Sequence, residues 1–303
     1  MKYRMLGKSG LRVSVVGVGT WQFGGEWGRT YEQHEVNAIL GTAKELGINL
    51  IDTAECYGDH LSESLIGESI QGSRNDWIVA TKFGHHFHRP FERTDVYDAK
   101  DVVKQLELSL QALKTDYIDL YQFHSGPNSS FDQDELWDTL QEQVKAGKIR
   151  HLGISIGSNE NIHQTSRASD VKAEAIQVVY NRLDRNPEKE VFPSCAEQNL
   201  GVLARVPLAS GFLSGKYKPG TQFAANDVRS RWDTAKLDSY ANEVEAIKRE
   251  EVPQGTDMAA WALAWCLKHP AVTTVIPGCK DAAQVKANAA AVELVDEGHP
   301  QEA

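Results

Sequence analysis

The chain has 303 residues, 41% of them hydrophobic and 24% charged, enough for one large α/β barrel or two ordinary domains with a substantial core. Its net charge of -10 and pI near 5.5 argue against a nucleic-acid or anionic-membrane partner, since phosphate recognition needs a basic footprint; a small ligand is the default. Four cysteines (Cys56, Cys195, Cys266, Cys279) lie far apart without a C-x-x-C pair, which suggests neither a zinc site nor a disulfide framework and fits a reducing cytosol.

Segments 2–6 and 11–14 read as two short strands around Gly7-Lys8-Ser9-Gly10, a hairpin ahead of the main fold. The apolar run 13–18 is too short for a signal sequence, and no stretch approaches the roughly 18 apolar residues of a membrane helix, so a cytoplasmic location is expected. A regular alternation follows. The expected elements are strand 15–18, helix 33–46, strand 50–51, helix 62–70, strand 77–80, helix 99–113 and the apolar run 117–123. Helix 99–113 places Val102, Leu106, Leu110 and Leu113 at helical spacing. Then come helix 134–146 closed by Gly147, strand 149–154, helix 159–169, strand 176–180 and helix 188–199 stopped by Gly201. Strand 202–206, helix 258–269, strand 273–276 and helix 282–292 finish the series.

Strands that are continuously apolar, not alternating, imply burial on both faces and hence a parallel sheet covered by helices. Eight strand–helix repeats predict a (β/α)8 TIM barrel with an N-terminal β-hairpin, a single domain over 1–303. Two long excursions, 84–98 and 213–253, both follow strands, the second with an extra helix near 240–249. Loops at the carboxyl ends of barrel strands build active sites, so both are expected to cover substrate or cofactor. The polar tail 296–303 is expected to fray.

Three consecutive strand ends carry polar residues: Asp52, with Tyr57 in the loop beyond it, then Thr81-Lys82, then His124. A buried lysine beside a carboxylate stays charged, and its cation favours the phenolate of a nearby tyrosine. Lys82 is thus expected to lower the pKa of Tyr57 and make it a proton donor near neutral pH, a role worth ~10²–10⁴ in rate. Taken singly, Tyr57-Gly58 is turn chemistry, Asp52 a cap, Lys82 a solvated rim residue and His124 a hydrogen-bonded core histidine. Four such residues at adjacent strand ends favour a site.

The pattern Asp52-Thr53-Ala54-x-x-Tyr57-Gly58, Thr81-Lys82 and Phe123-His124 resembles the aldo-keto reductases. The resemblance spans nearly the whole chain. It includes the Gly7-Lys8-Ser9-Gly10-Leu11 hairpin, Gly19-Thr20-Trp21, Thr115-Asp116-Tyr117-Ile118-Asp119-Leu120, the run from Pro207 and Leu208 to Lys216, and Ile276-Pro277-Gly278. It implies hydride transfer from a reduced nicotinamide to a small-molecule carbonyl, or the reverse from an alcohol. Tyr57 would donate the proton, Lys82 and Asp52 would tune it, and His124 would orient the carbonyl.

Gly17-x-Gly19 lacks the third glycine of a Rossmann fingerprint. The resemblance instead implies pyrophosphate held by Ser210, Gly211, Leu213 and Lys216, with Gly278, Lys280, Gln284 and Asn288 at the adenosine end. Lys280 with no acidic ribose ligand favours NADPH/NADP+, with NADH as the alternative because of Asp281. Arg229 reads either as a clamp on the cofactor or as a solvated loop residue. The sequence departs from the family pattern in three places. Ser155-Ile156 replaces Ser-Asn, leaving Ser155 and Gln177 for the carboxamide; Arg205 stands where an aromatic usually stacks on the nicotinamide; Ala287 replaces a frequent glutamate.

Trp21, Phe23, Trp27, Phe87 and Trp232 fall in loops over the expected catalytic face, as lining of an apolar pocket or as loop packing. The short tail after Val292 suggests an open, permissive pocket. His85-His86-Phe87-His88 raises a metal-dependent hydrolase as a rival, but a histidine run in one loop reads as a solvated patch, and no metal is expected. A second rival is a cofactor-sensing regulatory subunit, as in the potassium-channel β-subunits that resemble this family.

Overall fold

The computed structural model describes residues 1–303. Strands β1 (Tyr3–Met5) and β2 (Arg12–Ser14) pair antiparallel in the expected hairpin. There follow β3 (Val18–Gly19), α1 (Gln33–Glu45), β4 (Leu50–Asp52), α2 (Leu61–Ile70), β5 (Ile78–Phe83), a second hairpin β6 (His85–Arg89) and β7 (Glu92–Asp95), and α3 (Ala99–Ala112). The chain continues with β8 (Ile118–His124), α4 (Asn128–Phe131), α5 (Asp134–Lys145), β9 (Ile149–Ser155), α6 (Ile162–Ser166), β10 (Ala173–Val179) and α7 (Val191–Glu197). β11 (Gly201–Arg205), α8 (Thr234–Glu250), α9 (Met258–Leu267), β12 (Thr274–Val275) and α10 (Ala282–Ala289) complete it. No helix is long and apolar enough to cross a membrane.

Eight strands, β3, β4, β5 and β8 to β12, form one parallel sheet in sequence order. Parallel bridges Val16 to Val275 and Gly19 to Gly278 join its two edges, so the sheet closes into a (β/α)8 barrel. The interior is layered by the two-residue period of the strands. Leu50, Ala80, Leu120, Ala175, Leu203 and Ile276 form an apolar floor with Leu6 and Val13 of the hairpin, which plugs the amino-terminal end. Outside the barrel, α3 turns Val102, Leu106 and Leu110 inward and α5 turns Leu136, Trp137 and Leu140, each an amphipathic stripe. Helix α9 is apolar nearly all round because it is buried on two sides. Leu263, Ala264 and Leu267 join the main core, and Met258 and Ala262 join a smaller one under α8.

Several expectations need correction. The excursion 84–98 is a hairpin, and its three histidines take separate partners: His85 meets Asp95 at 3.0 Å, His86 meets Asp101 at 2.6 Å and His88 meets Thr94 at 2.7 Å. The extra helix expected at 240–249 starts at Thr234, where Asp233 accepts from the Ala235 amide as a cap. The helix expected over 159–169 shrinks to Ile162–Ser166, because Asn161 caps it and the chain turns before β10, itself three residues earlier than expected. The tail does not fray. Met5 N–H donates to Gln301 O at 2.9 Å and Ala303 N–H to Tyr3 O at 3.2 Å, which ties it to the hairpin under the barrel.

Candidate active site

Two residues beyond the apolar floor, the same inner face of each strand turns polar: Asp52 on β4, Lys82 on β5, Gln122 on β8, Gln177 on β10 and Arg205 on β11. These side chains meet. Lys82 Nζ donates to Asp52 Oδ2 at 2.8 Å and to the Thr53 carbonyl at 2.5 Å. Asp52 Oδ1 accepts from Gln177 Nε2 at 2.7 Å and Gln122 Nε2 at 3.2 Å, and Gln177 also donates to Gln122 Oε1 at 3.1 Å. The carboxylate is therefore neutralised and saturated. Burial alone would drive Lys82 toward the free amine, but Asp52 and Tyr57 hold its pKa above the ordinary lysine value.

Tyr57 lies above this pair, its ring 5.2 Å from Lys82 Nζ, 6.1 Å from Trp21 and 6.2 Å from His124. Its position is set by a close approach of two glycines. A Cβ at Gly24 would stand 2.6 Å from the Tyr57 carbonyl carbon, and one at Gly58 would stand 2.8 Å from Gly24 O. The expected acidification of Tyr57 is not what results. Burial pushes its pKa up to about 12, outweighing the lowering by Lys82, so the phenol keeps its proton. His124 is pushed down to about 3 by burial first, with His85 and Lys82 adding to it against Glu55, and is held neutral. Its backbone carbonyl accepts from Tyr97 OH at 2.5 Å.

A cavity of about 420 Å³ runs across the carboxyl ends of the strands. Asp52, Tyr57, His124, Trp21, Arg93 and Arg205 border it, as do Pro207, Leu208, Ser210, Gly211, Lys216 and Arg229 from the loops after β11 and Gly278, Lys280, Gln284 and Asn288 after β12. Glu26 is fully buried and accepts from Trp21 Nε1 (2.7 Å), the Phe91 amide (2.7 Å) and both ways from Arg93 NH2 (2.7 Å each), joining the loop after β3 to the β6–β7 hairpin. The same loop bridges to the loop after β11, with Val228 N–H donating to Glu26 O at 2.9 Å. Gln22 packs on Gly278 so closely that a Cβ there would lie 1.7 Å from its Nε2. None of these carried a sequence signal; Gln122, also unforeseen, shares the inward face of β8 with His124, two residues on.

The family model for the aldo/keto reductase family matches residues 15–301. The chain belongs to that family. An uncharacterized oxidoreductase of Bacillus subtilis, YqkF, is 34% identical over 289 residues, covering 95% of this chain and 90% of the relative. The aldo-keto reductase AKR11C1 of Bacillus halodurans, solved in its holo form, is 34% identical with a TM-score of 0.80, over 97% of this chain and 91% of that one. A probable voltage-gated potassium channel subunit beta of Arabidopsis thaliana is 29% identical over 97% of this chain and 92% of its own length.

Membership in the aldo/keto reductases makes the protein an oxidoreductase of small carbonyl compounds that uses a nicotinamide cofactor. Of the residues expected for the cofactor, Gly19, Thr20, Trp21, Gln177, Arg205, Pro207, Leu208, Ser210, Gly211, Lys216, Arg229, Gly278, Lys280, Gln284 and Asn288 border the cavity. Leu213 does not. It is fully buried in the smaller core, with its amide spent on Leu208 O at 3.1 Å. Ser155 lies beneath the surface, 3.5 Å from Gln177 Oε1, and Lys82 is likewise covered. Arg229 is no solvated loop residue: it pairs with Asp227 at 2.6 and 2.9 Å and donates to Ser210 O at 3.1 Å, bracing the loop from which it was expected to clamp the cofactor. Of the five aromatics, Trp21 and Trp27 border the cavity, whereas Phe23 is core, Phe87 is half-buried on β6 away from the cavity lining, and Trp232 packs against Phe212.

The residues fit a dinucleotide. Arg205 Nε is buried without a hydrogen-bond partner beside Tyr57, and the cations Lys216, Arg229 and Lys280 border the cavity, where a pyrophosphate or a further phosphate could meet them.

Proposed function

We propose that the protein reduces aldehydes or ketones to alcohols with NADPH, Tyr57 serving as proton donor. The observation that carries this reading is a protonated, buried phenol beside the saturated Lys82–Asp52 pair at the base of a cavity. A bound reduced nicotinamide supplies the hydride. Tyr57 supplies the proton to the oxygen that becomes the alcohol, and the Lys82 ammonium stabilises the phenolate left behind. His124, its ring 6.2 Å from that of Tyr57, orients the carbonyl. Asp52 keeps Lys82 charged and is itself held by Gln122 and Gln177.

The preference for NADPH over NADH rests on Lys280, which is exposed and forms no ion pair in the structure, and on Asp281, whose side chain is occupied as the cap of α10 at 2.8 Å from the Gln284 amide. A carboxylate so occupied is a poor partner for a ribose diol. Lys280→Ala should weaken NADPH binding by about tenfold to a hundredfold while leaving NADH binding unchanged, measured by fluorescence titration of the two nucleotides. Equal losses for both would remove the argument for the 2′-phosphate.

The decisive variant is Tyr57→Phe. It should lose at least ~10²-fold in the turnover of a generic aldehyde such as a nitrobenzaldehyde, followed by NADPH absorbance, while NADPH binding persists. Undiminished turnover would overturn the mechanism. The Arabidopsis relative's name keeps a second reading in view, a cofactor-sensing regulatory subunit. Wild-type protein that binds NADPH tightly yet turns over no member of a carbonyl panel would favour it.

A further inference from the structure

We propose that Glu55, Cys56 and His124 form a binding site for a thiophilic divalent cation, zinc by donor set, directly behind Tyr57, and that filling it arrests turnover. The three ligand atoms all lie within 4.8 Å of one another. Cys56 Sγ is 3.8 Å and Glu55 Oε2 3.6 Å from the same atom, His124 Nδ1. The second distance exceeds that of an N–H···O hydrogen bond, which spans about 2.7–3.2 Å. That edge alone matches what a metal would hold; the Cys56–His124 edge of 3.8 Å and the overall spread of 4.8 Å would have to shorten on binding. With Zn–S about 2.3 Å and Zn–N or Zn–O about 2.0–2.2 Å, the edges of a tetrahedral site are about 3.3–3.6 Å.

A second, independent observation points to a ligand there. Glu55 is 3% exposed, and its Oε2 has no hydrogen-bond partner, while Oε1 is fixed by the His85 amide at 2.9 Å. A buried, unpaired carboxylate oxygen is costly unless something shares it. The donor set suits zinc, and one thiolate with one carboxylate supplies two negative charges, matching the cation. His124 and Arg93 border the cavity, whereas Glu55 and Cys56 lie behind its wall, so His124 is the ligand nearest an entering ion. Arg93 brings a positive charge, but Glu26 matches it, and NH1 of Arg93 already donates to Cys56 Sγ at 3.5 Å, as a second-layer partner of a bound thiolate would.

Binding forms metal–sulfur, metal–nitrogen and metal–oxygen bonds; the Cys56 thiol proton leaves to solvent, and nothing is oxidised or reduced. His124 coordinates as the neutral imidazole through Nδ1. Cys56 adjoins Tyr57 in the chain, so drawing the three ligands together displaces the phenol and immobilises His124, which is the basis of the arrest.

The test uses Co²⁺ as a spectroscopic stand-in and Zn²⁺ as the inhibitor of the purified enzyme. Co²⁺ should bind at one equivalent with a thiolate-to-metal charge-transfer band and tetrahedral visible absorption, both abolished by Zn²⁺ and absent from Cys56→Ser. Zn²⁺ should inhibit wild-type turnover reversibly to chelator, and at least tenfold more weakly in Cys56→Ser, whose uninhibited turnover is retained. No thiolate band in wild-type protein, or undiminished inhibition of Cys56→Ser, would overturn the proposal. Should Cys56→Ser fail to fold, the wild-type spectrum and the weakened Co²⁺ binding of Glu55→Gln decide it. The inhibition arm rests on the proposed reductase reading, but the spectrum does not: a band in an inactive protein sinks only that reading, and an active enzyme without the band sinks only the metal site.

Discussion

Tyr57 sits against Trp21 and His124 with the Lys82 ammonium 5.2 Å from its ring, and burial carries its pKa to about 12. A donor needs its proton before the reaction and a stabilised anion after it. In the proposed mechanism burial secures the first and Lys82 the second, so acidification of the resting phenol is unnecessary. His124 gives the residue scale a pH signature. Its pKa is about 3 in the folded chain against an ordinary 6.5, so between these values the unfolded chain binds a proton that the native state refuses. Stability therefore falls as pH falls through this window. The melting temperature should decline between pH 7 and pH 5, and His124→Gln should flatten that decline; an unchanged slope would show that the histidine titrates alike in both states. Asp52, Lys82, Tyr57 and His124 were legible because each ends or follows a strand. Glu55 and Cys56 were not, since ligands at positions 55, 56 and 124 share no sequence spacing.

At the scale of elements, the carboxylate of Glu26 is the joint between the loop after β3 and the β6–β7 hairpin, which bring Trp21 and Arg93 to the cavity. Removing one partner of a buried charge pair leaves the other uncompensated. Glu26→Ala should cost about 3–5 kcal/mol in urea unfolding and speed hydrogen exchange at the Phe91 amide, with weaker carbonyl binding as loop and hairpin part. The hairpin escaped sequence reading because His85-His86-Phe87-His88-Arg89 has no apolar alternation to mark a strand; backbone pairing with 92–95 makes it one. By contrast, α3 and α5 were readable from their stripes, and their burial follows those stripes.

For the whole molecule, the barrel separates stability from chemistry along its axis. The hairpin, the tail and the apolar floor close the amino-terminal end, while the polar layer and the loops occupy the other. Leu6 is fully buried in that floor. Leu6→Ala should cost about 2–5 kcal/mol by denaturant titration and leave kcat of the remaining folded enzyme unchanged; a parallel loss of kcat would show that floor and site are coupled. The barrel, its eight repeats and the placing of Asp52, Lys82 and His124 near strand ends could be read from local pattern, because strand period and helix stripe are local properties of a chain. The protonated state of Tyr57, the covered position of Leu213, the bracing role of Arg229 and the meeting of Glu26 with Arg93 emerged with the closed barrel. Each of these depends on burial and on contacts between distant loops, which arise when the sheet closes and which no local pattern encodes.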